Sequence, residues 1–125
     1  MNEWRTSLTQ AQTDAQVARF PEMLAACEQI VENHKGNVNA LLDVGSLLLN
    51  FGYITRARKC FESVRSLAPN DLRLVVNLAN LARDTGNHAE CARLYASLQA
   101  TQPNNPVIRR NRLVSQEYDP LVTDL

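Results

Sequence analysis

Several signatures of catalysis are missing from this 125-residue sequence. Its four glycines, Gly36, Gly45, Gly52 and Gly86, form no GxGxxG, P-loop or GxSxG pattern, and no HExxH occurs. Loops that cradle phosphate and the strained turn of a nucleophile elbow are therefore excluded. Isolated carboxylates occur without any sign of a buried pair with split pKa values. His34 and His88 are the only histidines. His88 and Cys91 stand one helical turn apart, but two ligands do not make a zinc site. Aromatics are scarce at 6%, and the abundance of Ala and Leu leans towards helix over sheet. The three cysteines, Cys27, Cys60 and Cys91, are odd in number and lack a CxxC pair. They read as reduced thiols packed as small apolar groups. No apolar run is long enough to span a membrane. Met1 to Gln12 carries no apolar signal core, so the expected compartment is the cytoplasm. Charge of either sign is not in excess, with 13 basic and 13 acidic residues. A general nucleic-acid binder should be basic. The clusters Arg56, Arg58, Lys59 and Arg109, Arg110, Arg112 have no interleaved aromatics and read as solvated helix faces. The expectation is a protein without enzymatic activity, cofactor or metal.

What the sequence does contain is a period. When residues 38–71 are set above residues 72–105, Leu47 falls on Leu81, Gly52 on Gly86, Ser63 on Ser97, Pro69 on Pro103 and Asn70 on Asn104. Similar residues extend the match: Val44 with Leu78, Gly45 with Ala79, Ala57 with Cys91, Phe61 with Tyr95, Val64 with Leu98. Leu41, Val44 and Leu48, and then Val75, Leu78 and Ala82, recur at three- and four-residue steps and define one apolar helix face. Gly45 and Ala79 lie on that face, where a small residue lets a second helix approach closely. Gly52 and Gly86 end the first helix because glycine readily takes the left-handed conformation. The second helix carries Ala57, Phe61 and Val64, then Cys91, Tyr95 and Leu98. Pro69 and Pro103 stop it. Asn70-Asp71 and Asn104-Asn105 are turn residues able to cap the next helix.

This pattern resembles the tetratricopeptide repeat, which places a small residue at its eighth position, Gly near the fifteenth, a small residue at the twentieth, an aromatic at the twenty-fourth and Pro at the thirty-second. Gly45, Gly52, Ala57, Phe61 and Pro69 match in one unit. Ala79, Gly86, Tyr95 and Pro103 match in the next, with Cys91 in place of the small alanine. Leu41 and Val75 stand where the family usually has Trp. The resemblance implies an all-α, right-handed α-solenoid of five to seven antiparallel helices, built as a single domain over residues 1–125.

The flanks extend the register. Met23, Cys27 and Ile30 fall where Ala57, Phe61 and Val64 fall, so Phe20 to Asn33 reads as the second helix of an earlier, divergent unit spanning 1–37. Lys35 replaces its proline, and Gly36-Asn37 makes the turn. Pro21 sits near the first turn, where it is tolerated. Residues 3–17 supply the first helix of that unit, although Trp4, Leu8, Ala11 and Ala15 are poorly spaced for an apolar face. Residues 106–118 read as a capping helix, with Val107, Leu113 and Val114 covering the last unit, and 119–125 as a tail. Asn111-Arg112-Leu113 and Tyr118-Asp119-Pro120 are similar to the junction between repeats and catalytic region in bacterial proteins like O-linked N-acetylglucosamine transferase. Arg112 and Gln116-Glu117 depart from that stretch.

Repeat folds carry no function by themselves. A stacked array leaves a groove lined by the first helix of each unit. The expected lining is Asn39, Leu42, Asp43, Ser46, Leu49 and Asn50, followed by Arg73, Val76, Asn77, Asn80, Arg83 and Asp84. Amides both donate and accept, so an asparagine row can hold the backbone of an extended peptide. Asn77 matches the asparagine ladder of O-linked N-acetylglucosamine transferases, whereas Asp43 departs from it. Arg73 and Arg83 can grip a carboxylate in a fork, but the groove lacks the lysines of the repeats that clamp carboxylates. The expected function is a scaffold for a peptide or partner helix. The substrate-recognition arm of a glycosyltransferase, and self-assembly into a homo-oligomer through end faces, are the alternatives. Neither nucleic acid nor membrane is an expected partner.

Overall fold

A computed structural model describes residues 3–104. Six α-helices account for most of them: α1 (Glu3–Gln16), α2 (Phe20–Asn33), α3 (Val38–Asn50), α4 (Ile54–Leu67), α5 (Leu72–Asp84) and α6 (His88–Thr101). There is no strand among the described residues. The 34-residue offset of the sequence is kept to the residue: α2, α4 and α6 begin at 20, 54 and 88, and α3 and α5 at 38 and 72. The fold is all-α, assembled from helical hairpins that are the packing unit of helical repeats. The expected capping helix at 106–118 and the stretch from Asn111 to Pro120 lie outside the described residues.

The chain divides into two compact units, Met1–Pro69 and Asn70–Leu125. In the first, α1 packs on α2 and α3 on α4, and α3 also touches α1 and α2. Its core holds Trp4, Leu8, Met23, Cys27, Ile30, Leu41, Val44, Phe61 and Val64, all buried. The expectation that α1 is poorly spaced for an apolar face is corrected. Trp4, Leu8, Ala11 and Ala15 are each 6% exposed or less, because three- and four-residue steps put them on one stripe. Asp14 shares the burial, and Gln10 Nε2 donates to its Oδ1 at 3.1 Å. In the second unit α5 packs on α6. Ala79, Ala82, Cys91, Tyr95 and Leu98 form its core, with Val75, Val76 and Leu94 packed against them.

Two local devices set the hairpins. Gly52 and Gly86 follow α3 and α5 with φ of 84° and 82°, the left-handed conformation that ends a helix. Ala18 occupies the equivalent place after α1 and adopts φ 61°, which a Cβ disfavours. The second device is the side-chain cap. Asn37 Oδ1 accepts from Ala40 N at 3.1 Å, Asp71 Oδ1 from Arg73 N at 2.9 Å, and Asn87 Oδ1 from Glu90 N at 3.3 Å. The position holding Asn37 and Asp71 is thus an N-cap in both repeats.

Gly45 shows why the face between hairpin partners needs a small residue. A Cβ there would stand 2.5 Å from Phe61 Cε1 and 3.1 Å from Cys60 Cβ. α3 and α4 cross closely enough that a Cβ at this position crowds both the Phe61 ring and Cys60.

Candidate functional site

The expected groove residues fall on two helices in two different units. On α3, Asn39, Asp43 and Asn50 are exposed and Ser46 is half-buried. Leu42 and Leu49 are 2% and 5% exposed, so neither is open to a ligand, and their expected place in the lining is corrected. The cause lies in the composition of α3. It buries eight of its residues, including Leu41, Leu42, Val44 and Leu47 to Leu49. A helix apolar over most of its circumference is buried on more than one side.

On α5, Arg73, Arg83 and Asp84 are exposed, and Val76, Asn77 and Asn80 are half-buried. Val76 packs against the core of its unit. Both arginines are engaged within the chain. Arg73 Nε and Nη2 donate to Asp71 Oδ1 and Oδ2 at 3.1 and 2.8 Å. This bond, ahead of every other influence, holds the Asp71 carboxyl below its usual range. Arg83 Nε donates to Asp84 Oδ1 at 3.3 Å. A carboxylate clamp on this face would have to displace both aspartates.

The asparagines are arranged otherwise. Asn77 Nδ2 donates to the Arg73 carbonyl at 3.0 Å, a bond that does not use its Oδ1. Asn80 Oδ1 accepts from the Tyr95 hydroxyl at 2.7 Å, which turns its Nδ2 donors away from α6. Three residues apart, the two amides lie on one face of α5. These bonds leave Asn77 Oδ1 and Asn80 Nδ2 unused. The equivalent positions of α3 and α4 carry Ser46 and Phe61, and a phenyl ring has no hydroxyl to donate.

A second concavity, unforeseen in the groove argument, lies within the first unit between α2 and α4. It is an open cleft of about 960 Å³ with Cys27, Cys60 and Leu48 on its floor. Glu28, Gln29 and Glu32 line one lip, and Arg56, Lys59 and Ser63 the other. Arg56 Nη1 meets Glu28 Oε1 across it at 3.4 Å. Burial pushes the Cys27 thiol up from 9.0 to about 11, with Cys60 nearby adding to the shift. Burial alone pushes Cys60 up to about 11. Both sulfurs therefore stay protonated at neutral pH and serve as packing groups, not nucleophiles. One signal of this cleft was readable in sequence. The segment Phe20–Asn33 holds Glu22, Glu28 and Glu32 without a Lys or Arg, whereas Ile54–Leu67 holds Arg56, Arg58, Lys59 and Arg65 against Glu62 alone.

No group of three or more His, Cys, Asp or Glu able to hold a metal occurs among the described residues. Nor is any helix there long and apolar enough to cross a membrane. The basic cluster Arg109, Arg110 and Arg112 lies outside the described residues. No family model matches the chain, and no curated protein matches it.

Proposed function

We propose that this chain is a protein-interaction scaffold of the tetratricopeptide-repeat type, and that α5 holds a partner peptide in extended form through Asn77 and Asn80. The hydrogen bonds that the two amides make within the chain support the reading. An extended peptide offers alternating carbonyl acceptors and N–H donors along its backbone. Asn80 Nδ2 meets the former and Asn77 Oδ1 the latter. Half-buried Val76 beside them supplies apolar contact. Recognition through backbone groups tolerates many side chains, so the expected ligand is a class of extended segments and not one sequence. A single helical face gives modest affinity unless other modules add avidity.

The test is selection of a random peptide library on the chain, followed by binding of the captured peptides to Asn77→Ala/Asn80→Ala. The double variant should keep its helicity and lose at least about tenfold in affinity, the equivalent of roughly 1.4 kcal/mol. Failure to capture any peptide, or equal binding by the variant, refutes this use of α5.

A further inference from the structure

We propose that the cleft between α2 and α4 is the surface on which a second copy of this chain docks, the acidic lip of each copy against the basic lip of the other. This rests on the first unit alone and is independent of the reading of α5. The two lips are opposite in sign. Glu28 and Glu32 stand on the α2 side and Arg56 and Lys59 on the α4 side, over a floor of Cys27, Cys60 and Leu48.

Such a face is complementary to itself in one way only. A two-fold axis running along the cleft lays α2 of one copy over α4 of the other, acid on base twice. An axis across the cleft lays α2 on α2 and α4 on α4, where like charges repel. Charge therefore selects the first arrangement, an isologous pair in which each contact occurs twice. The formal net charge of zero removes the overall repulsion that keeps strongly charged proteins apart.

The pair that now spans the cleft does not stand in the way. Glu28 and Arg56 meet at 3.4 Å with side chains 69% and 44% exposed, and on the acidic lip Glu32 is paired with Lys35 at 3.1 Å, 71% and 68% exposed. Exposed pairs of this kind contribute little, so exchanging the intramolecular partner for one on the second copy costs little. Two helices of 14 residues offer only a small face, and small interfaces are characteristically weak. The expected association is accordingly weak and sensitive to salt.

The experiment is sedimentation of the full chain from micromolar to millimolar concentration, at low and high salt. The mean mass should rise from 14.0 kDa towards twice that value at low salt and fall back at high salt. Glu28→Lys/Glu32→Lys, with both lips basic, and Arg56→Glu/Lys59→Glu, with both lips acidic, should each remain monomeric with unchanged helicity. An equimolar mixture of the two should associate again. Should either variant fail to fold, the fourfold variant combining all four changes restores complementarity with the signs exchanged and should self-associate like the natural chain. A constant mass for the natural chain overturns the proposal, as does an association indifferent to both reversals.

Discussion

The Tyr95 hydroxyl donates to Asn80 Oδ1 at 2.7 Å, joining α6 to α5 fifteen residues away. Tyr95 is otherwise a core residue, 1% exposed among Ala79, Cys91 and Leu98. Its ring packs while its hydroxyl fixes an amide on the face proposed to hold a peptide. Tyr95→Phe should keep the ring, since Phe61 fills the same register position in the preceding hairpin. The expected loss is about 1 kcal/mol, the net value of one hydrogen bond, read as a lower urea midpoint at unchanged slope. Asn80 is then free to rotate, and affinity for captured peptides should fall with it.

Ala18 is an alanine where the two later repeats use glycine. Its φ of 61° matches the 84° of Gly52 and the 82° of Gly86. A non-glycine residue in this conformation costs roughly 1–2 kcal/mol. Introducing glycine also raises the entropy of the unfolded chain, an opposing effect of roughly 0.4–1 kcal/mol. The conformational relief is the larger, so Ala18→Gly should stabilise the protein by roughly 0.5–1 kcal/mol in urea denaturation. Gly52→Ala and Gly86→Ala should shift the midpoint the other way.

Asn80 and Ala18 mark the limits of what could be read in the sequence. The period was legible because each helix boundary is set locally: Gly52 and Gly86 take positive φ, Asn37 and Asp71 cap, and Pro69 halts a helix. The core of each hairpin was legible for a similar reason, since Ala57, Phe61 and Val64 recur as Cys91, Tyr95 and Leu98. The left-handed turn at Ala18 was not, because alanine gives no sign of it and only register with Gly52 reveals it. The face of α3 was misjudged at Leu42 and Leu49, where a nearly continuous apolar run offers periodicity no polar side to mark. The polarity of Asn80 was hidden because its partner lies on the next helix. The clamp already disfavoured by the missing lysines is further opposed by Asp71 and Asp84, which engage Arg73 and Arg83 in a way only side-chain geometry shows.

Gly45 allows a steric prediction. Gly45→Ala gains about 1 kcal/mol of helix propensity. Its Cβ must stand 2.5 Å from Phe61 Cε1 and 3.1 Å from Cys60 Cβ. Rotating the ring does not relieve the second contact, because Cys60 Cβ is fixed to its backbone. Overpacking of a filled core costs roughly 1–3 kcal/mol, so the net change should be destabilising. Phe61→Leu removes the nearer atom. The double variant Gly45→Ala/Phe61→Leu should therefore lose less than the two single variants together, a non-additivity that a double-mutant cycle measures.

The two thiols beneath the α2–α4 cleft predict a loss of stability in alkali. Cys27 and Cys60 are raised from 9.0 to about 11, chiefly because burial disfavours the thiolate. Between those values the unfolded chain has released both protons while the folded chain retains them. The unfolded state then binds fewer protons, so unfolding free energy falls as pH rises. The stabilising contribution is whole below pH 9 and is lost on the way to about pH 11. Two thiols shifted this far amount to a few kcal/mol, at about 1.4 kcal/mol per pH unit per group. Other groups titrate in the same window, so the quantity to measure is a difference of slopes. Urea unfolding of the natural chain and of Cys27→Ala/Cys60→Ala, compared across pH 8 to 11, should show a steeper alkaline decline for the natural chain. Equal slopes would mean that the thiols ionise in the folded protein as readily as in the unfolded one, and that the floor of the cleft is wetter than its 2% and 4% exposures imply.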